Sequence, residues 1–270
     1  MSDDSDRDFA GSVAHVYATQ LVPLIFEPYA GQLARRLPAA GLSRVLELAA
    51  GTGVATRALA DALPDDVTIV ATDLNQAMLD EAAAAGTSRP VTWRQADATA
   101  LPFADATFDA VVCQFGAMFF DRARAFAEVR RVLRPGGTFA FSVWDRIEDN
   151  EFADVVTDAL ATLFPDDPPR FLARTPHGHH DRATILRDLA RAGFDAEPAV
   201  ETVAERSRAA SARVPAVAYC QGTPLRHEIE ARDPAALARA TDVATEAIAR
   251  RFGRGPVDGK IQAYVVAVTR

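Results

Sequence analysis

Cysteine is scarce in this chain. Its 270 residues include only two cysteines, Cys113 and Cys220, which form no CxxC pair. Two distant cysteines cannot build the disulfide framework of a small secreted protein, and they do not match a CxxC metal site. Because Cys113 falls inside an apolar strand pattern, we expect a buried structural thiol there rather than a nucleophile.

Long apolar runs and excess positive charge are also missing. No stretch approaches the roughly 18 apolar residues that a membrane-spanning helix needs. The first residues, Met1-Ser-Asp-Asp-Ser-Asp6, are acidic where a signal peptide would be basic and then apolar. Lysine and arginine number 29 against 37 aspartates and glutamates, a net charge of -8, whereas phosphate binding needs clustered cations. We therefore expect a cytoplasmic enzyme with no nucleic-acid partner and no membrane span.

Strand-like and helix-like segments alternate between residues 44 and 144. Hydrophobic residues make up 49% and charged residues 24% of the chain, a globular balance that fits one large domain or a domain with an insert. The strand–helix–strand spacing predicts an α/β fold with a parallel sheet that helices cover on both faces. The predicted strands are 45–48, 67–71, 91–95, 108–113 and 138–144, and the predicted helices are 54–63, 76–85 and 122–133.

The pattern is less regular on either side of this region. Residues 9–37 indicate short helices broken at Pro23 and Pro28, and Arg134-Pro-Gly-Gly137 indicates a tight turn between a helix and a strand. We expect the arginines between 122 and 134 to form the solvated face of their helix. The later predictions are helices at 151–163 and 183–192, strands at 194–205 and 262–268, and helical segments within 207–252 that break at Pro215, Pro224 and Pro234.

A loop of small residues follows the first predicted strand. It reads Glu47-Leu-Ala-Ala-Gly-Thr-Gly53 and leads into a helix. Glycines let the backbone approach a ligand, and free N–H groups at the start of the helix face it, although a plain tight turn has the same composition. A dinucleotide fingerprint needs a third glycine where this chain has Thr56. Glu47 is foreign to that fingerprint, and a carboxylate there suits a ligand that carries an ammonium group.

Two further carboxylates follow the next two strands. Asp73 ends the second strand at the distance from Gly53 where an acid meets ribose hydroxyls, and it is also suited to cap the helix that begins near Asn75. Asp97 follows the third strand, where it either accepts a hydrogen bond from an adenine amine or is simply solvated. Acids at three successive strand ends are a specific signal, because those ends line one crevice.

Together these motifs resemble the class I S-adenosylmethionine-dependent methyltransferases, in particular the small-molecule branch related to the ubiquinone and menaquinone biosynthesis enzymes. The likeness covers about residues 40–145, and it implies a seven-stranded sheet of order 3-2-1-4-5-7-6 with the last strand antiparallel. The family usually has glycine at position 49, where the methyl group of Ala49 slightly narrows the loop. The motifs are Glu47 to Gly53, Asp73-Leu-Asn-Gln-Ala-Met78, Asp97-Ala-Thr-Ala-Leu-Pro-Phe103, the strand 108–113 with Gln114-Phe115, and Glu128-Val-Arg-Arg-Val-Leu-Arg-Pro-Gly-Gly137.

The resemblance also implies roles for single residues, with S-adenosyl-L-methionine as methyl donor and S-adenosyl-L-homocysteine as product. Glu47 would hold the methionine ammonium group, Asp73 both ribose hydroxyls and Asp97 the adenine amine. The other implied donor contacts are the backbone of Ala49, Gly51 and Gly53, the side chains of Leu74 and Met78, the Ala98 N–H, Gln114 near the sulfonium, and Tyr17.

The acceptor side is less well defined. Phe115 and Phe119 after the fourth strand and Trp144 at the end of the fifth are candidates for an acceptor wall, with core packing as the alternative. Of the five histidines, His177 is the candidate general base. Transfer from a sulfonium mainly needs alignment in a dry pocket, so an enzyme without a base is equally consistent. We expect a small-molecule acceptor and no metal, and a homodimer stays open.

The resemblance divides the chain into an N-terminal helical cap, 1–38, and a methyltransferase domain, 39–270, with its donor-binding core at 40–145. Two insertions, 145–181 and 207–259, have no place in the sheet, and we expect them to form a lid with the cap. The alternatives are a nicotinamide-dependent oxidoreductase and a non-catalytic module with this fold. Thr56 and Asp97 argue against the first, and the three intact acids argue against the second.

Overall fold

A seven-stranded sheet organises the fold. The computed structural model describes residues 12–270, so the first eleven residues of the expected cap lie outside the described residues. The strands are β1 Arg44–Glu47, β2 Thr68–Asp73, β3 Thr92–Gln95, β4 Phe108–Gln114, β5 Leu133–Trp144, β6 Ala199–Ala209 and β7 Val257–Thr269. Their order is β3-β2-β1-β4-β5-β7-β6, which confirms the expected topology.

The first five strands pair in parallel. β7 runs antiparallel to β5. The Arg270 N–H donates to the Gly137 carbonyl (2.8 Å), and the Asp145 N–H donates to the Gln262 carbonyl (3.1 Å), so the end of β7 lies beside the start of β5. β4 and the second half of β5 are buried along nearly their whole length. Burial on both faces explains why these strands read as continuous apolar runs in the sequence.

Ten α-helices connect or flank the strands within the described residues. They are α1 Ser12–Val16, α2 Val54–Ala62, α3 Gln76–Ala85, α4 Arg122–Val132, α5 Glu151–Leu163, α6 Phe171–Arg174, α7 Arg182–Arg191, α8 Arg213–Gln221, α9 Leu225–Arg232 and α10 Leu237–Phe252. Tyr17–Phe26 is π-helical, and short 3-10 turns lie at Glu27–Tyr29, Ala34–Arg36, Ala117–Phe119 and Ile147–Asp149. Among residues 12–270, none of these helices has both the length and the apolar composition needed to cross a membrane.

Local side chains explain several helix starts. Asn75 caps α3 by accepting a hydrogen bond from the Ala77 N–H, and Asp121 caps α4 through the Arg124 N–H. Asp181 accepts hydrogen bonds from two backbone N–H groups at the start of α7. The observed bounds of α3 and α5 coincide with the predicted ones.

The chain forms two compact units. The first contains the described residues up to Pro28, Trp144–Gly178 and Ala204–Gln262, and in it α10 packs on α5 and α8. The second contains Tyr29–Val143, His179–Val203 and Ala263–Arg270. The core of the second unit combines apolar side chains from β1, β2, β4, β5 and β7 with α2, among them Val45, Leu59, Ile69, Val112, Ala140 and Val265.

Four local predictions are wrong. Pro23 lies inside the π-helix instead of ending a helix, and Pro215 sits in the first turn of α8, where a missing N–H costs nothing. The expected turn at 134–137 is the start of β5, where Gly136 adopts a φ of 79° and donates its N–H to the Arg270 carbonyl. The strand predicted at 194–205 begins five residues later and ends four residues later, at Ala199–Ala209.

The arginines of α4 do not form a simple solvated face. Arg122 pairs with Asp188 at 2.9 Å, and Arg130 donates from Nε to the carbonyl of Gly193 at 2.7 Å. Arg131 binds a different loop, described below. Each guanidinium group ties α4 to another segment of the second unit, because the long arginine side chain reaches past the helix surface to a carboxylate or a main-chain carbonyl.

Candidate functional site

The loop between β1 and α2 is held in an unusual backbone conformation. Ala49, Gly51 and Gly53 all have positive φ angles, of 51°, 55° and 79°. The Ala50 N–H donates to the Thr72 carbonyl at 2.9 Å, which ties the loop to the end of β2. A Cβ at Gly53 would lie 3.0 Å from the Trp93 ring, so only glycine fits without a shift.

Glu47 ends β1 and is almost completely buried, with 1% of its surface exposed. Its Oε2 has no hydrogen-bond partner among the described residues. Burial raises the pKa of Glu47 from 4.5 to about 8, aided by the nearby charge of Asp73, while Thr56 and Arg57 lower it. A buried carboxyl with a vacant lone pair is costly on its own and is suited to a cationic ligand group.

Asp73 ends β2 and holds two loops together. Its Oδ2 accepts a hydrogen bond from the Gly51 N–H and its Oδ1 from the Asn75 N–H, both at 2.9 Å. Burial raises its pKa, against the effect of these backbone hydrogen bonds. The alternative role as helix cap is wrong, because Asn75 caps α3. Beyond Asp73, Leu74 is 50% exposed and Met78 is buried.

Asp97 lies two residues beyond the end of β3, in a tight turn. Its Oδ1 accepts hydrogen bonds from the N–H (2.7 Å) and the hydroxyl (2.8 Å) of Thr99. Its side chain is exposed, whereas Ala98 is buried. The turn fixes one carboxylate oxygen and leaves the other available to a ligand.

The end of β4 carries a second strained backbone position. Gln114 is buried, and Phe115 adopts a φ of 54° while its N–H donates to the Ser142 carbonyl at 3.1 Å. Phe115 packs edge-on against Tyr29, with ring centroids 5.3 Å apart. Non-glycine residues at positive φ cluster at functional sites, since the surrounding structure must offset the strain.

Parallel register brings these side chains to one edge of the second unit. Glu47 pairs in register with Ala71 of β2 and with Val112 of β4, and Asp73 pairs with Gln95 of β3. The carboxyl ends of β3, β2, β1 and β4 are therefore adjacent, and ligands of open α/β sheets bind at such ends. The predicted residues that the second unit contains are Glu47, Ala49, Gly51, Gly53, Asp73, Leu74, Met78, Asp97, Ala98, Gln114, Phe115 and Phe119.

The other three predicted residues belong to the first unit, where they join a row of rings. Tyr17 and Phe26 lie 5.4 Å apart, Phe26 and Trp144 6.0 Å, and Trp144 and His177 6.0 Å between centroids. His177 is 5% exposed, and its Nδ1 lies 2.8 Å from the Asp145 carbonyl. Because a carbonyl oxygen only accepts, the proton of a neutral His177 lies on Nδ1.

Some contributors to the site were not predicted. Tyr29 was assigned only to the cap, yet it packs against Phe115. Gly116 is required because a Cβ there would collide with the methyl group of Ala49; its sequence signal was a glycine directly after Gln114-Phe115. Cys113 is buried as expected, and burial raises its pKa to about 12. Within residues 12–270, no group of three His, Cys, Asp or Glu side chains could hold a metal ion.

Comparison with known proteins decides among the nucleotide-binding families. Residues 46–141 match the family described as a methyltransferase domain. The demethylmenaquinone methyltransferase of Mycobacterium marinum is 36% identical over 163 residues, which cover 57% of this chain and 68% of the relative. The enzyme of the same description from Corynebacterium urealyticum is 38% identical over 171 residues, covering 60% and 71%. The chain belongs to the S-adenosylmethionine-dependent methyltransferases.

A solved structure agrees on the fold of this methyltransferase. Phosphoethanolamine N-methyltransferase 2 from Haemonchus contortus, in complex with S-adenosyl-L-methionine, has a TM-score of 0.59 and 16% identity over 98% of this chain and 58% of its own. The matches do not favour a nicotinamide-dependent oxidoreductase or a non-catalytic module. S-adenosylmethionine is the cofactor. Oε2 of Glu47, which has no partner among the described residues, suits its ammonium group. The positive φ angles of Ala49, Gly51 and Gly53 suit a close approach of the ligand to the backbone.

Proposed function

We propose that this methyltransferase acts on a small, planar organic acceptor that it binds in a water-poor pocket. The main support for methyl-donor binding is the set of carboxyl groups at the ends of β1, β2 and β3. Glu47 is buried, and its Oε2 lacks a partner among the described residues. S-adenosylmethionine supplies an activated methyl group, so the protein needs mainly to align the acceptor and exclude water.

Each acid has a distinct binding role in this proposal. Glu47 accepts hydrogen bonds from the donor's ammonium group, and Asp73 accepts them from both ribose hydroxyls. Asp97 accepts a hydrogen bond from the adenine amine while the Ala98 N–H donates to a ring nitrogen. The remaining donor contacts are the backbone of Ala49, Gly51 and Gly53, the side chains of Leu74 and Met78, Gln114 near the sulfonium, and Tyr17.

The acceptor is proposed to be a flat ring. Two relatives are named as methyltransferases of demethylmenaquinone, a quinone-type compound. The ring row of the first unit, with Trp144 at its centre, supports a flat acceptor, because aromatic faces stack on planar ligands. Phe115 and Phe119 are proposed to contact the same acceptor.

His177 is proposed as the general base. The proton of the neutral ring lies on Nδ1, 2.8 Å from the Asp145 carbonyl, so Nε2 is the basic nitrogen of this tautomer. We further propose that the cap and the insertions 145–181 and 207–259 close over the donor. A cytoplasmic location belongs to the same proposal, and a homodimer stays open.

Thermal unfolding with candidate ligands tests the donor assignment. A ligand present at about 100 times its Kd stabilises a protein by about 2.7 kcal/mol. We expect S-adenosylmethionine and S-adenosylhomocysteine to raise Tm and NAD to leave it unchanged; a shift with NAD alone contradicts the proposal. Mass spectrometry of a metabolite extract incubated with the enzyme and isotope-labelled donor would then identify the acceptor.

Asp73→Asn tests the ribose assignment. The amide removes the negative charge and one of the two acceptor oxygens, so at least one charge-assisted hydrogen bond of about 1.5–3 kcal/mol is lost and calorimetry should show donor affinity reduced by at least tenfold. Asp66→Asn is the matched control, because Asp66 is exposed and precedes the opposite end of β2. Equal donor affinity in the two variants would refute the ribose assignment.

A further inference from the structure

We propose that Glu128 and Arg131 of α4 are positioning residues for the adenine end of the donor. They act through the segment 97–105, which carries Asp97 at its start, and they touch no donor atom. The inference rests on the proposed adenine-binding role of Asp97 and assigns how the chain holds that carboxylate in place.

Arg131 donates hydrogen bonds to two main-chain carbonyls of the segment. Its Nη1 donates to the Phe103 carbonyl at 2.7 Å, and its Nη2 donates to the Leu101 carbonyl at 2.9 Å. Nη1 also reaches Asp105 at 2.9 Å. One planar guanidinium group therefore fixes three points along five residues of loop.

Glu128, one turn earlier in α4, binds both the segment and Arg131. Its Oε2 accepts a hydrogen bond from the Leu101 N–H at 2.7 Å, and its two oxygens accept from Nε and Nη2 of Arg131 at 2.7 and 2.8 Å. Hydrogen bonds from Arg131, more than those from Leu101, hold the pKa of Glu128 below its ordinary value. Leu101 is thus bound at both its N–H and its carbonyl.

The contacts of Glu128 and Arg131 with Leu101 lie directly after the turn that orients Asp97. The Ala100 N–H donates to the Asp97 carbonyl at 3.0 Å, and Thr99 holds one oxygen of the carboxylate. Leu101 is the next residue, and its side chain is buried. Any displacement of Leu101 therefore moves the turn and with it the free oxygen of Asp97.

The segment needs this external support because its own strand offers little. β3 has four residues, stands at the edge of the sheet and is largely exposed. α4, in contrast, is anchored by a buried face that includes Phe126, whose ring lies 5.3 Å from Phe139 and 5.4 Å from Phe141. Glu128 and Arg131 transfer the rigidity of α4 to the loop that follows an edge strand.

Arg131→Lys is the direct test, since lysine keeps the charge but offers three donors on one nitrogen, whereas Arg131 makes five hydrogen bonds from three nitrogens. Arg130→Lys is the matched control: Arg130 is its chain neighbour and donates to Gly193 instead. Glu128→Gln is a second, milder variant. Calorimetry measures the Kd of S-adenosylhomocysteine and of its inosine counterpart, in which a carbonyl replaces the adenine amine.

The wild type and Arg130→Lys should both prefer the adenine ligand. In Arg131→Lys we expect the Kd of the adenine ligand to rise roughly tenfold, and in Glu128→Gln by a smaller factor. The Kd of the inosine ligand should stay constant in both variants, so that discrimination falls. A merely structural role would weaken both ligands equally, and that result, or unchanged discrimination, overturns the inference. Absence of discrimination in the wild type overturns it as well, whereas failure of the wild type to bind either ligand refutes the donor assignment itself.

Discussion

At the scale of single residues, the proposed contact of Glu47 with the ammonium group makes donor binding depend on a proton. Burial raises its pKa to about 8, so the unliganded protein holds a proton on Glu47 near neutral pH. A bound ammonium group favours the charged carboxylate, and the proton must then leave. We expect calorimetry near pH 7 in two buffers of different ionisation enthalpy to show release of roughly one proton per donor bound.

Glu47→Gln is the control for this proton. Glutamine cannot ionise, so donor binding should be weaker and its enthalpy independent of the buffer. The sign for stability follows from the same pKa: because the folded state keeps the proton up to about pH 8 and the unfolded chain loses it near 4.5, the free energy of unfolding falls as pH rises through this window. Equal proton release in the wild type and the variant would contradict the assignment.

The backbone of the site shows what a sequence cannot convey. The order of acids and glycines predicts Glu47, Asp73 and the loop as donor contacts, because acids and glycines at strand ends suit a charged ligand, and these contacts stay proposals. The amino-acid sequence does not indicate that Ala49 and Phe115 adopt positive φ angles, or that the methyl group of Ala49 excludes any side chain at position 116. Those features depend on tertiary contacts that over-determine a few torsions.

At the scale of elements, buried strands and helices with a clear apolar pattern were predictable and irregular elements were not. β4 and α5 have clear apolar patterns and appear at nearly their predicted positions. The π-helix around Pro23 and the glycine-rich start of β5 are set by packing and by pairing with the chain end, which local propensity does not encode.

Asp109 of β4 joins the starts of three strands, and the hydrogen bonds that do so lower its pKa. It accepts hydrogen bonds from the N–H and hydroxyl of Ser43, from the Arg44 N–H and from Arg134 of β5. Although partial burial raises its pKa, these hydrogen bonds lower it to about 2. The stabilisation is therefore present above about pH 4 and lost as the pH falls through 2.

Asp109→Asn should destabilise the fold by about 1–2 kcal/mol near pH 7, because the amide retains only part of the hydrogen bonding. Urea unfolding at neutral pH and near pH 2 measures this, and the difference between wild type and variant should shrink at the lower pH. Asp105→Asn serves as control, since Asp105 is largely exposed and makes a single ion pair. A difference that does not depend on pH would contradict the role assigned to Asp109.

At the scale of the whole molecule, sheet order and family were predictable, since the motifs of residues 40–145 imply both. The first compact unit collects three separate stretches, and their bounds lie close to those of the cap and the two insertions that the sequence predicts to form a lid. Its ring row was not predictable: Tyr17, Trp144 and His177 were each singled out for a different role, and only the fold makes them neighbours.

The net charge of -8 sets the last expectation, that catalysis needs no polyanionic partner. Many arginines are already bound to acids within the fold, for example Arg36, Arg122, Arg131, Arg134, Arg213 and Arg251. Binding that neutralises phosphates would lose orders of magnitude in affinity between about 50 and 200 mM salt. We expect methyl transfer to a small acceptor to keep its kcat/KM across this range and gel-shift assays with duplex DNA and RNA to show no complex. A steep loss of kcat/KM with salt, or a salt-sensitive complex with nucleic acid, would mean that the acceptor is a polyanion instead.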